Sequence, residues 1–295
     1  MIEKPFVTYH VNTFNRLPLL RNLLRSFELC NRYDRFEWVI IDYGSTDGTR
    51  DFIYDYQKLY QNVSVVFSNE KTYFDVLDTW ALKPRSKRFR SHAIFGLQRN
   101  VVRQVGRGDV FIDIADDHQF VRSGDWVSDM LNVGHDYGRE KISSIIYRGL
   151  WHSRINKPNN ECEPERISQS GVPYYVAKYK GYDDYHFMFR GMYEKIGPYL
   201  EIERETDPQR IQDWQDEKET FDHYRDYLAR ADALGLKKIF LKFPYVVDFP
   251  NDYPLKDLDS SKPIIPLYAP GEMEKLFSHL TRPVSSDEII QRRPF

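Results

Sequence analysis

Trp38-Val39-Ile40-Ile41 is a continuous apolar run that stops at Asp42, and helix patterns flank it on both sides. A strand apolar at every position is buried on both faces, which calls for helices above and below a parallel sheet. The whole first half of the chain alternates in this way. Phe6 to Val11 reads as a first strand. Asn15 caps a helix whose Leu19, Leu20, Leu23, Leu24 and Phe27 recur at helical spacing, with Pro18 tolerated in its first turn. Ser45, Thr46 and Asp47 offer caps for a second helix that buries Phe52, Ile53, Tyr56 and Tyr60. Val63 to Phe67 is a third strand. A helix over about 92–105 leads through Gly106 and Gly108 into Val110-Phe111-Ile112-Asp113-Ile114-Ala115, a fourth. The expected fold class is α/β, a Rossmann-like mixed sheet wound by βα units.

Ligands of open α/β sheets bind along the carboxyl edge of the strands. That edge should hold Thr13 and Asn15, then Asp42, then the adjacent acids Asp116 and Asp117. Two neighbouring anions need a positive partner, and a divalent cation carrying a substrate diphosphate is the usual one. Taken alone, the pair also suits a polar turn after a buried strand. Asp113 shares the side of Ala115 by strand alternation and reads as a structural acid rather than a ligand.

Composition narrows the function classes. A net charge of −2 argues against a nucleic-acid binder, which would be strongly basic. Lys83, Arg85, Lys87, Arg88 and Arg90 crowd one segment that suits phosphates or an anionic membrane surface, and equally a solvated loop. Two cysteines make no disulfide framework, and the opening residues have no signal-peptide core. The expectation is therefore a cytoplasmic protein with at most peripheral contact to the inner membrane face. Nothing in the sequence sets an oligomeric state.

The second half is less regular. Ile142 to Tyr147 and Lys237 to Phe243 read as strands, 151–180 as loop or irregular hairpin, and Phe187 to Phe189 as a short strand before a helix ending near Gly197. A further helix runs over about 220–234, and a Pro-rich tail follows Asn251.

Three segments together resemble one family. VTYHVNTFNRLPLLRNLLRSF is similar to the opening strand and helix of inverting family 2 glycosyltransferases with the GT-A fold. WVIIDYGSTDGT resembles their second strand and its Asp-rich turn, and GLQRNVVRQVGRGDVFIDIADDHQF resembles the segment that leads into their D-x-D region. Two departures stand out: Tyr43 replaces a second acid after strand two, and Ala115 replaces the first Asp of a full D-x-D.

The resemblance implies a GT-A-like fold with a nucleotide-sugar-binding half over 1–125, an acceptor-binding and catalytic half over 126–250, and a carboxyl-terminal extension over 251–295. It implies transfer of a sugar, with inversion, from a nucleoside diphosphate donor to a glycan, lipid-linked or small-molecule hydroxyl. UDP-sugar is the default donor. Thr13 and Asn15 would border the base, Asp42 would bond its edge, and Arg99 and Asn100 would approach the base or diphosphate. Asp117 would ligate Mn²⁺ or Mg²⁺, with Asp116 beside it near the ribose or the metal. His118 reads as a polar turn histidine, and relatives place a third ligand near the position of Asp248. Trp151, His152, Tyr182, Tyr185 and His186 suit an acceptor pocket by position, and core packing equally.

Inverting transfer needs a carboxylate to take the acceptor's proton. Asp222 and Asp226, four apart on the helix after the acidic stretch, are the candidates, with Glu219 and Asp216 behind them; a solvated acidic face is the plain alternative. Two other functions compete. A sugar nucleotidyltransferase would carry a Gly-rich phosphate loop after strand one, and Asn12 to Arg16 has no glycine. A non-catalytic nucleotide- or glycan-binding module on the same fold is compatible with the incomplete D-x-D.

Overall fold

The computed structural model describes residues 4–67, 87–147, 162–178, 186–201, 207–215 and 223–248, with 263, 267, 268 and 272. The sequence order begins β1 (Val7–Thr13), α1 (Leu17–Cys30), β2 (Phe36–Asp42), α2 (Thr49–Leu59), β3 (Val63–Phe67), α3 (Lys87–Val105), β4 (Val110–Ala115), β5 (His118–Phe120) and α4 (Trp126–Tyr137). It continues with β6 (Ile142–Ile146), β7 (Arg166–Ile167), β8 (Pro173–Val176), β9 (Phe187–Phe189), α5 (Arg190–Ile196), α6 (Pro208–Gln215), α7 (His223–Ala233), β10 (Lys237–Leu241) and β11 (Val246–Asp248).

One sheet runs through both halves, in the order β3-β2-β1-β4-β9-β6-β10-β8-β7. The β1, β2, β3 and β4 strands are mutually parallel, β9 runs against both β4 and β6, and β10 is parallel to β6. The carboxyl ends of β1, β2, β4, β6 and β10 therefore share one edge. This is the mixed α/β sheet expected from the sequence.

Its two faces are built differently. On one, Val7, Tyr9 and Val11 of β1 meet Leu20, Leu23, Leu24 and Phe27 of α1 and Trp126 and Met130 of α4 in a single apolar core. Tyr9 lies between Phe27 (centroids 4.8 Å) and Trp38 (5.0 Å), so aromatic rings carry much of this layer. On the other face β1 presents Thr8 and His10, which are buried against charge rather than hydrocarbon. The Thr8 hydroxyl donates to the buried Glu37 at 2.8 Å and accepts from the Gly108 amide at 2.9 Å.

Several local expectations change. The structure has Arg16, not Asn15, at the cap position of α1, because Asn15 takes a left-handed backbone (φ 51°) and turns its side chain to the next loop. Asp47 caps two helices at once: one oxygen accepts from the Leu17 amide at 3.1 Å and the other from the Thr49 amide at 3.1 Å. The third helix starts at Lys87, ahead of the expected 92. Helix α4, capped by Asp125 through Ser128, helix α6 inside the acidic stretch, and the two-stranded β5–β11 sheet are additions to the sequence reading. The expected irregular hairpin within 151–180 is present as β7 and β8. In the tail, the buried Tyr268 donates its amide to the Val121 carbonyl beside β5. Among the described residues no helix is long and apolar enough to cross a membrane.

Candidate functional site

Register brings the expected residues to one edge. Thr13 pairs with Asp42 across β1 and β2, and Asn12 pairs with Ala115 across β1 and β4, so the acid pair emerges beside the end of β1. Two loops close this edge. The Asp42 carboxylate, fully buried, accepts the amides of Gly44 (3.1 Å) and Ser45 (3.2 Å) and the Arg50 Nε (2.7 Å). The Asn15 amide donates to Ser45 Oγ at 2.9 Å, and its Oδ1 accepts the Thr46 amide at 2.7 Å. Asn15 and Asp42 thus knit the floor of the site, with Thr13 buried between them.

The acid pair has a resident cation. One guanidinium nitrogen of Arg16, Nη1, donates to Asp116 Oδ1 at 2.9 Å and to Asp117 Oδ2 at 3.2 Å. Asp116 is buried and Asp117 half-buried. Burial pushes the Asp116 carboxyl up to about 6, with Arg16 opposing that rise and Asp117 adding to it. Behind the pair, His118 is buried and accepts the Ala115 amide on Nδ1 at 3.2 Å, which closes the turn carrying both acids. The β5–β11 register sets Asp248 opposite His118.

The oxygens of Asp116 and Asp117 converge on a single nitrogen, so they would equally face a single metal ion. No group of three or more acidic, His or Cys side chains suited to a metal occurs among the described residues. Two carboxylates with phosphate and water oxygens completing the shell is the ordinary Mg²⁺ or Mn²⁺ arrangement, and the donor set fits it.

Arg99 and Asn100 have other commitments. Arg99 is buried with its Nε on Asp113 Oδ2 at 3.0 Å. Asn100 donates to the Tyr199 carbonyl at 2.9 Å and to Glu201, and accepts from the Tyr199 amide (2.8 Å) and the Tyr193 hydroxyl (3.0 Å). Their helix positions point them into the protein, where they tie α3 to β4 and to the 193–201 segment. In the structure both side chains thus hold neighbouring elements together.

Asp113 is the structural acid expected of it, at the centre of a buried charge cluster. Arg103 reaches it with two nitrogens (3.0 and 3.2 Å), His10 Nδ1 lies at 3.3 Å and His186 Nε2 at 3.7 Å. Burial alone would raise this carboxyl; Arg103, His10, His186 and Arg99 overcome that and hold it well below the usual carboxylate range. His186 belongs to this cluster, with Tyr199 at 3.2 Å, rather than to an acceptor pocket.

Asp226, one candidate base, is tied to Arg230 at 2.9 Å and lies 3.8 Å from Arg210. Arg230 also donates to the carbonyls of Ile196 (2.7 Å) and Pro198 (2.6 Å), so the pair anchors α7 to the loop after α5. Asp222, Glu219, Asp216, Trp151, His152, Tyr182, Tyr185, Lys83 and Arg85 lie outside the described residues. The side chains of Lys87, Arg88, Arg90 and Asp248 do as well. A cavity of about 540 Å³ lined by Phe36, Trp38, Tyr56 and Tyr60 lies at the opposite edge of the sheet, away from the acid pair.

Residues 9–74, which contain the first two strand-end loops of the site, match the sequence profile of glycosyl transferase family 2. The chain carries a GT-A fold. The solved structure of TarS from S. aureus aligns over 83% of this chain and 37% of its own, with a TM-score of 0.52 and 13% identity. TarS 1–349 in complex with UDP-GlcNAc aligns over 86% of this chain and 61% of its own, with a TM-score of 0.50 and 14% identity. Mannosyltransferase PcManGT from Pyrobaculum calidifontis, solved with GDP-Man and Mn²⁺, aligns over 68% of this chain and 48% of its own. Its TM-score is 0.43 at 16% identity, a likeness too loose to bear on ligands here. This chain thus spans less than two thirds of the length of each of these proteins. No curated protein matches it by sequence.

The residue that the sequence analysis did not single out is Arg16. It lies in the T-F-N-R segment at the mouth of β1, and its acidic partners are about one hundred residues away.

Proposed function

We propose that this chain is a glycosyltransferase that moves a sugar, with inversion, from a nucleoside diphosphate donor to a hydroxyl acceptor, assisted by a divalent metal. The observation that carries this reading is the convergence of Asp116 and Asp117 on one cation position at the carboxyl edge of a GT-A sheet. Thr13 and the Asp42 turn border the same edge and would receive the nucleoside. Asp117, the more accessible acid, would be the firmer ligand of Mg²⁺ or Mn²⁺, and Asp116 the second. When bound, the ion would offset the charge that builds on the departing diphosphate.

Proton removal from the acceptor falls to a carboxylate near the start of α7. Asp226 is occupied by Arg230 and supports the helix, which leaves Asp222 as the preferred base. A UDP-sugar is the first donor to test, since the TarS 1–349 structure holds UDP-GlcNAc. The test is release of nucleoside diphosphate from UDP-, GDP- and dTDP-sugars with Mn²⁺, without acceptor and then with hydroxyl acceptors. Slow release with one donor, lost in Asp117→Ala, supports the transferase. Nucleotide binding with no release from any donor would turn the reading to a binding module on the same fold.

A further inference from the structure

Arg16 and the acid pair belong to different loops, and each is held in place without the other. The backbone of Arg16 is fixed by the amino end of α1: the Leu17 amide donates to Asp47 at 3.1 Å, the Leu20 amide to the Arg16 carbonyl at 3.0 Å, and the Asn15 amide to Ser45 at 2.9 Å. The acids are fixed by the β4 register and by the His118 turn. The guanidinium joins them, and its side chain is 34% exposed. It can turn away without unwinding α1 or moving β4.

The nitrogen it places there does what a metal ion would do. It lies within 3.2 Å of one oxygen from each carboxylate, where a bridging cation would be ligated. Both cannot occupy that position. Without a cation two adjacent carboxylates, one of them buried, face each other, so departure of one cation favours arrival of the other.

We propose that Arg16 is the resident counter-ion of the Asp116–Asp117 pair, and that the divalent ion arriving with a nucleoside diphosphate binds by displacing it, the guanidinium then turning onto the diphosphate. This rests on the metal-assisted reading given above. Its consequence is an order of binding. Metal alone must evict Arg16 with no new anion to receive it, whereas metal with diphosphate supplies one. The free protein therefore binds metal weakly, and the nucleotide and the ion enter together.

The test is titration of the full chain with Mn²⁺ at pH 8, followed by electron paramagnetic resonance, without nucleotide and with UDP or GDP. Wild type, Arg16→Gln, Arg16→Lys and Arg16→Gln combined with Asp117→Asn are compared, each first checked for a cooperative melt. Arg16→Gln should bind Mn²⁺ alone at least about tenfold more tightly than wild type, and the nucleotide should tighten its Mn²⁺ binding less than it does in wild type. Arg16→Lys, which keeps a competing charge, should stay near wild type, and the double variant should lose the gain. Equal Mn²⁺ affinity in wild type and Arg16→Gln, with loss on Asp117→Asn, would overturn the displacement while leaving the metal site intact. Absence of Mn²⁺ binding in every variant, even with nucleotide, would overturn the metal-assisted reading and the displacement with it. If Arg16→Gln does not fold, the Arg16→Ala and Arg16→Lys pair carries the same comparison.

Discussion

Arg103 grips Asp113 of β4 with both terminal nitrogens, at 3.0 and 3.2 Å, three residues before the acid pair in the turn that follows. The pair is buried, and Arg99 adds a second guanidinium to the same carboxylate at 3.0 Å. Asp113 also receives the Tyr147 hydroxyl on its carbonyl, and its amide donates to the His186 carbonyl at 3.0 Å. The cluster thus joins β1, α3, β4, β9 and the end of β6 directly behind the candidate site.

Asp113→Asn keeps the shape and removes the charge, leaving two buried guanidinium groups without their counter-ion. Removing one partner of a buried pair costs about 3–5 kcal/mol. Urea unfolding of Asp113→Asn should show a loss in that range with little change in slope. A loss below about 1 kcal/mol would show that the cluster is not structural.

The same cluster sets a pH dependence. Burial, with Arg99, Arg103 and Lys238 adding to it and Asp113 opposing, pushes His186 down to about 3 from an ordinary 6.5, and burial lowers His10 as well. Below pH 6.5 the unfolded chain binds a proton at these positions that the folded chain refuses. Stability is therefore full above pH 6.5 and falls as the pH drops towards 3, with a slope approaching ~1.4 kcal/mol per pH unit for His186 alone. Chemical denaturation at pH 7.5, 6, 5 and 4 measures the slope. His186→Gln should flatten it.

Asp117→Ala should abolish metal-dependent nucleotide binding while the fold persists, because Asp117 is half-buried and Arg16, which it shares with Asp116, is retained by Asp116. Calorimetry with UDP or GDP and Mn²⁺ is the readout. Unchanged metal-dependent affinity would remove Asp117 from the site.

What the sequence made legible follows its periodicity. The leucine stripe of α1 and the apolar run of β2 lie where expected, since a stripe or an all-apolar strand has one way to be buried. The acid pair was legible by its place after β4. Helix α4 was readable in principle, from Asp125 followed by Trp126, Val127, Met130 and Leu131 at helical spacing. The protein contacts of Arg99 and Asn100 were not legible, because a motif gives position along a helix, whereas the buried carboxylate of Asp113 decides which way Arg99 faces. Arg16 was beyond reach for a related reason: a cation between two acids is a fact of three-dimensional register, and no local spacing encodes it.

Gly108 shows a close approach that only glycine permits. A Cβ there would stand 2.5 Å from the Thr8 amide nitrogen and 2.5 Å from the Val110 carbonyl oxygen. Both are backbone atoms of neighbouring strands, so neither can step aside. Gly108→Ala should cost about 1–3 kcal/mol or more, as overpacking does, read as a lowered melting temperature. Gly171, with nothing within 4 Å of its added Cβ but a φ of +85°, is the contrasting case in which strain and not contact would set the cost.

The choice of base separates on the geometry of α7. Asp226 is ion-paired with Arg230, which reaches on to the carbonyls of Ile196 and Pro198, so its charge supports the helix from a position 26% exposed. A partly solvated pair of this kind contributes about 1 kcal/mol or less. Asp226→Asn should therefore keep turnover within a few-fold of wild type and lower stability slightly. Asp222→Asn should keep metal-dependent nucleotide binding and lose turnover by about 10²–10⁴-fold, the usual contribution of a positioned base. Steady-state transfer assays and nucleotide calorimetry on both variants make the distinction. Loss of turnover in Asp226→Asn with Asp222→Asn active would reverse the assignment, and would require Arg230 to release Asp226 when acceptor binds.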